Sequence, residues 1–189
     1  MRVGVRQGLL FFGVTALLCS GVVFAQTSAS TTVTASAQIV QGIAIVRTAD
    51  LNFGDIAPSG AGTVVVSPLG ARTSTGGASV IDNPSNPAQA AAFDVMLVGN
   101  PGNNNAGNKK FWIQLPPNGT VSITNGSATM NVNDFTSNLP CAQTGSTAPG
   151  PGPCVQAPRT LQVGASLLVN AGQPIGVYSG TFNVTVHRF

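Results

Sequence analysis

Apolar and polar residues alternate along much of the chain beyond residue 31. Val33, Ala35, Ala37 and Ile39 share one parity, while Thr32, Thr34, Ser36 and Gln38 share the other. A two-residue period puts one set on each face of an extended chain, so residues 31–39 are predicted as a strand with one apolar face. Ile43 and Ile45 continue the strand region through Leu51-Asn52-Phe53-Gly54 to a predicted turn at Ala57-Pro58-Ser59-Gly60. Thr63-Val64-Val65-Val66, β-branched throughout and closed by Pro68, reads as the next strand.

Gly76-Gly77 then interrupts the pattern, and the turn-rich run to Pro87 is predicted as a long surface loop with at most a short strand at 79–81. Phe93, Val95 and Leu97 alternate again, before Asn100-Pro101-Gly102 opens an Asn/Gly-rich loop ending at Asn108. Phe111, Ile113 and Leu115 form the inward parity of the following strand, which leaves Lys110, Trp112 and Gln114 on its other face. Val121 with Ile123, and Met130 with Val132, flank Asn125-Gly126, a hairpin-turn dipeptide. Leu161, Val163, Ala165, Leu167 and Val169 alternate over nine residues. The last strand sets Tyr178, Phe182, Val184 and Val186 against Ser179, Thr181, Asn183, Thr185 and His187. Eight or nine short strands separated by turns, without a helical period, predict an all-β antiparallel sandwich over residues 41–189, preceded by an extended segment at 26–40.

Composition supports this reading. Gly 23 and Pro 13 leave little room for long helices, while 43% hydrophobic residues exceed what a disordered chain carries. The first 25 residues have the layout of an export signal: Arg2 and Arg6, an apolar run from Leu9 to Leu18, and Val23-Phe24-Ala25 before Gln26. The run is broken by Gly13 and is shorter than the roughly 20 residues that span a bilayer, so no stable membrane insertion is expected after cleavage. A terminal Phe189 also fits an outer-membrane barrel, but residues in step with it (His187, Thr185, Asn183) are polar where a lipid-facing set is apolar.

With Arg2 and Arg6 removed, six basic residues face five acids, all of them Asp. That balance excludes the clustered positive charge that a nucleic-acid partner requires, and Lys109-Lys110 beside Phe111-Trp112 is too small a patch to supply it. Cys141 and Cys154 are the two cysteines beyond the leader, and an even pair in an exported chain is expected to form a disulfide. Two cysteines and one distant His give no metal site, and neither a metal nor a cofactor is expected. The chain has one His, His187, and no Glu, too little for a hydrolytic triad or a carboxylate pair, so no enzyme is expected. Asp50 and Asp55 flank Phe53-Gly54 and read as strand-end polar groups rather than a Ca²⁺ loop. Asn103-Asn104-Asn105 reads first as turn chemistry, with carbohydrate contact as its functional alternative. Trp112, the sole Trp, is a candidate interface residue on the face opposite Phe111 and Ile113. The strand at 31–39 either opens the domain or completes a neighbouring subunit by strand addition, with Val33, Ala35, Ala37 and Ile39 as the inserted side chains.

Ala37-Gln38-Ile39-Val40, the run Ala49-Asp50-Leu51-Asn52-Phe53-Gly54-Asp55-Ile56, residues 93–98, Val163-Gly164-Ala165 and the ending Gly176-Val177-Tyr178-Ser179-Gly180-Thr181-Phe182-Asn183-Val184-Thr185-Val186 carry a family resemblance. In order and spacing the sequence resembles the bacterial secreted family named domain of unknown function 4402, similar to chaperone-usher pilins and spore-coat-U-like proteins. The resemblance implies an incomplete immunoglobulin-like, pilin-like sandwich. Such a subunit is exported to the periplasm and assembles with copies of itself at the cell surface. It further implies a periplasmic chaperone that captures the strand at 178–186, through Tyr178, Phe182, Val184 and Val186, and an outer-membrane usher. The expected function is a structural subunit of a surface filament or coat built by donor-strand exchange. A monomeric secreted carbohydrate-binding or adhesive sandwich, using the loop at 103–108, is the alternative.

Overall fold

The structure, a computed structural model, describes residues 31–32, 34–37, 42–99, 110–148, 150 and 155–188. The chain divides into two units, Met1–Gln38 and Ile39–Phe189. In the first unit the described residues, 31–32 and 34–37, are exposed and belong to no strand. Val33 and Ile39 lie outside the described residues, as does the predicted signal at 1–25.

The second unit holds eleven strands among its described residues: β1 (Gly42–Ala49), β2 (Asp55–Val66), β3 (Arg72–Ile81), β4 (Ala91–Val98), β5 (Lys110–Leu115), β6 (Val121–Thr124), β7 (Thr129–Ser137), β8 (Ala142–Thr144), β9 (Val155–Gln156), β10 (Arg159–Val169) and β11 (Thr185–Arg188). No helix occurs among them, and the antiparallel β-sandwich expected from the alternation is the architecture found.

β10 organises the larger, seven-stranded sheet. Its five alternating apolar residues, Leu161 to Val169, are all buried, which uses the period-two pattern in full. Val163 pairs with Ser137 of β7 and Ala91 of β4, and Leu167 with Val132 of β7 and Val64 of β2. One edge of β10 therefore runs along β7, while the other is shared in tandem by β4 and then β2. The handover falls at Gly164, where an added Cβ would lie 2.2 Å from the Val66 carbonyl oxygen. Only a residue without a side chain lets the departing end of β2 pass this close. β1 extends the sheet beyond β4, β3 beyond β2 and β6 beyond β7.

The smaller sheet is built on β5, with β11 antiparallel along one edge and β8 (parallel) and β9 (antiparallel) along the other. Phe111, Ile113 and Leu115 of β5 are buried in the common core with Val64, Val66, Val95 and the β10 row. At about 1.5–3 kcal/mol for each fully buried large aliphatic or aromatic side chain, these residues dominate the favourable side of folding.

Three local expectations are corrected. Residues 57–60 do not turn: β2 runs through them, and its pairing with β3 slips between Pro58 and Gly62. Residues 76–78 are not loop: together with the short strand allowed at 79–81 they form the second half of β3. The two corrections share a cause, because the glycines here permit close backbone approach. A Cβ on Gly77 would sit 2.5 Å from Gly60 Cα, and Gly76 adopts φ 68°. The third correction concerns the last strand, which is regular only over Thr185–Arg188; before it, Ser179 forms a single bridge to Thr124.

Candidate functional site

The smaller sheet does not cover the whole inner face of the larger one. A groove of about 490 Å³, with no residue of the smaller sheet in its lining, is floored by Val121 and Ile123 of β6, Met130 and Val132 of β7, and Leu167 and Val169 of β10. These are the inward sets of the Asn125-Gly126 hairpin and of the end of β10. Each is fixed there by alternation: on β6 and β7 the neighbouring Ser122, Thr129 and Asn131 are exposed, and on β10 Leu168 is exposed while Ser166 is buried.

One wall of the groove is the segment 173–182, here called the strap. The Tyr178 hydroxyl donates to the Pro174 carbonyl (2.7 Å), and Gln173 Nε2 donates to Tyr178 Oη (2.8 Å). Ser179 exchanges both backbone hydrogen bonds with Thr124, at 2.9 and 3.0 Å. Gly180 lies so close to β6 that a Cβ would meet the Ser122 carbonyl at 2.4 Å. Phe182 anchors the strap's far end against Phe135, ring centroids 5.0 Å apart. Among the described residues, β6 pairs with β7 along one edge and with the strap along the other only at Thr124.

The opposite rim is the stretch Leu51-Asn52-Phe53-Gly54-Asp55-Ile56, held by a polar latch. Asp55 accepts hydrogen bonds from Asn83 Nδ2 (2.6 Å) and Asn86 Nδ2 (2.5 Å), while Asn52 Nδ2 donates to Asn86 Oδ1 (2.7 Å). Arg72, its side chain nearly buried, donates to the carbonyls of Phe53 and Ile81 and pairs with Asp82 at 2.7 Å. The two amide donors, and more weakly the Arg72 charge, hold the Asp55 carboxyl below its ordinary pKa. Gly54 has φ 70°, and a Cβ there would collide with Arg72 Nη1, so the latch needs glycine at this position.

The predicted site residues fall in different places. Tyr178 and Phe182 line the groove; Val184 and Val186 are half-buried against the core and do not line it. Ala35 and Ala37 are exposed. Trp112 is 6% exposed and stacks on His187, whose Nε2 lies 2.9 Å from Gln114 Oε1. Cys141 is buried, while Cys154, Lys109 and the Asn103–Asn105 run lie outside the described residues. Asp50 pairs with Arg47 on the surface at 2.7 Å, apart from Asp55 and its amide partners. No group of three or more His, Cys, Asp or Glu side chains that could hold a metal ion occurs among the described residues.

Sequence reasoning missed two parts of the site. Asn83 and Asn86 read as turn residues beside Pro84 and Pro87, with nothing local to reveal that both reach back to Asp55. Ile175 and Val177, in the strap, fall outside any alternating run; Val177 entered only within the run 176–186 that carries the family resemblance, with no role of its own, and Ile175 not at all.

No curated protein and no solved structure matches the chain. A family model, domain of unknown function (DUF4402), matches residues 43–187, which take in the sandwich from β1 to β11 and both walls of the groove. With that match spanning most of its length, the chain belongs to the DUF4402 family.

Proposed function

We propose that this protein is a non-enzymatic structural subunit of a bacterial surface filament or coat, assembled by donor-strand exchange. Residues 31–39 of one copy enter the groove of the next. The observation that carries this reading is the groove itself, a cavity of about 490 Å³ whose floor is a row of largely buried core aliphatic side chains from β6, β7 and β10 and whose walls are the strap and the 51–56 rim. An unfilled apolar cavity forfeits packing contacts, and an extended segment with one apolar parity is the element that fills such a groove. The chain possesses that segment in Val33, Ala35, Ala37 and Ile39. A contact between the leader-proximal segment of one copy and the groove of another is head-to-tail and need not close, which gives a chain of identical subunits.

The rest of the reading fits this core. The leader at 1–25 exports the chain, and Cys141 and Cys154 pair in the oxidising compartment. The sandwich is of the immunoglobulin-like, pilin-like kind with one strand position open, and a periplasmic chaperone holds the segment at 178–186 until an outer-membrane usher hands the subunit on. The test is light scattering after size-exclusion chromatography, with negative-stain microscopy, on exported protein with and without residues 26–36. Polymers that vanish on truncation are expected. A stable monomer in both forms would overturn the filament reading and direct attention to glycan binding at residues 103–108.

A further inference from the structure

We propose that Ile175 and Val177 form an apolar contact for the neighbouring copy at the mouth of the groove, covered when residues 31–39 of that copy dock; this rests on the donor-strand reading above. Both side chains are open to water, Ile175 at 103% and Val177 at 90% of full exposure. They are displayed by a built loop rather than a loose one. Gln173 N–H donates to the Asn170 carbonyl, the side chains of Asn170 and Gln173 bond to each other, and Tyr178 closes the loop onto Pro174. Gly176, between the two aliphatic residues, packs so tightly on the Asn125 side chain that an added Cβ would lie 2.9 Å from it.

A loop that spends its polar groups on its own closure and turns two large aliphatic side chains outward, beside an apolar groove, is the signature of a contact surface. Charge favours the occupant named here. The strap contains no Asp, Lys or Arg from Gln173 to Phe182, and residues 26–46 contain none either, so neither surface loses a hydrated charge when they meet. The contact also assigns a role to the strap's single bridge at Ser179. It holds Ile175 and Val177 beside the floor, where one incoming strand meets both.

The test pairs I175S/V177S with Ala35→Asp in the full exported chain. Polymer formation followed by light scattering is expected to be at least about tenfold weaker in I175S/V177S, since two aliphatic side chains lose their cover. Urea midpoints are compared in the Ala35→Asp background, where assembly is blocked. There I175S/V177S is expected to leave the midpoint unchanged, because both side chains are already in water. If Ala35→Asp abolishes polymers and I175S/V177S does not weaken them, the Ile175–Val177 contact is wrong and donor-strand assembly stands. A lowered midpoint on adding I175S/V177S would place the two residues in the subunit's own fold and overturn the contact as well. If wild type forms no polymers, or Ala35→Asp leaves them intact, the donor-strand reading fails and this inference falls with it.

Discussion

The indole of Trp112 lies flat on the imidazole of His187, ring centroids 4.1 Å apart and planes inclined by 11°. The two residues are register partners on β5 and β11, and His187 is further tied to Gln114, its diagonal neighbour on β5. The stack thus fastens a four-residue terminal strand to the centre of the smaller sheet on the face away from Phe111 and Ile113. Cross-strand aromatic pairs of this kind add to what their area alone provides. Trp112→Ala is expected to lower stability by about 3–5 kcal/mol, as for other buried Trp truncations, and Trp112→Phe by clearly less. Urea unfolding followed by circular dichroism measures both. Equal effects of the two substitutions would mean that the stack is not what holds β11.

The elements that alternation revealed are those whose burial depends on one strand alone. The β10 row, the Phe111-Ile113-Leu115 set and the Asn125-Gly126 hairpin all lie where the period of two puts them. Errors arose where glycine or a distant partner decides the outcome. Gly76-Gly77 reads as a break, because glycine is entropically poor in strands. Yet opposite Gly60 and Gly62 it is what lets β3 pass the slip in β2. The groove was illegible for a different reason: its floor comes from three strands spread from Val121 to Val169, and its walls from two segments, 51–56 and 173–182, far apart in sequence, which no local pattern brings together.

Acid is expected to loosen the groove rim. The ionised Asp55 carboxylate accepts from Asn83 and Asn86, so it stays ionised in the folded chain at pH values where the unfolded chain, near 3.8, is already protonated. A lowered folded pKa contributes stability that is complete above the unfolded value and disappears as pH falls through the folded one. The stability gap between wild type and Asp55→Asn should therefore stay constant above about pH 5 and narrow below about pH 4. Thermal melts across that range measure it; a gap that widens on acidification would contradict the assignment.

Gly164 tests the tandem pairing on β10. Alanine there would place a methyl group 2.2 Å from the Val66 carbonyl and 2.6 Å from the Ser67 carbonyl carbon, both backbone atoms that cannot swing aside. Gly164→Ala is expected to cost at least about 1–3 kcal/mol through forced backbone shifts. Gly70→Ala, with open space around it, serves as the control for a glycine whose constraint is φ alone. Chemical denaturation that ranks Gly70→Ala as the more damaging change would refute the handover geometry.

The cysteine pair is expected to act on stability rather than assembly. Cys141 is buried next to β8, and closing the loop from it to Cys154 constrains a stretch rich in Pro and Gly. Cys154→Ser is expected to cost on the order of 3 kcal/mol in the chain-entropy account of a loop this short. Unfolding of oxidised wild type, reduced wild type and the variant decides it. Reduction should bring wild type to the level of the variant, and no difference among the three would show that the two cysteines are not joined.

Filling the groove from its rim separates occupancy from folding. Ile56 lines the cavity at the start of β2 and is only partly buried, so a larger ring there extends into open volume of about 490 Å³ rather than into packed core. Ile56→Trp is accordingly expected to change subunit stability by less than about 1.5 kcal/mol, unlike overpacking of a filled interior. It should also abolish binding of an apolar fluorescent dye to the unassembled chain and stop polymer growth, because dye and donor strand compete for one volume. Dye titration and light scattering on the same preparation read the two effects together. Loss of dye binding with undiminished polymers would mean that the groove is real but that neighbouring copies join somewhere else.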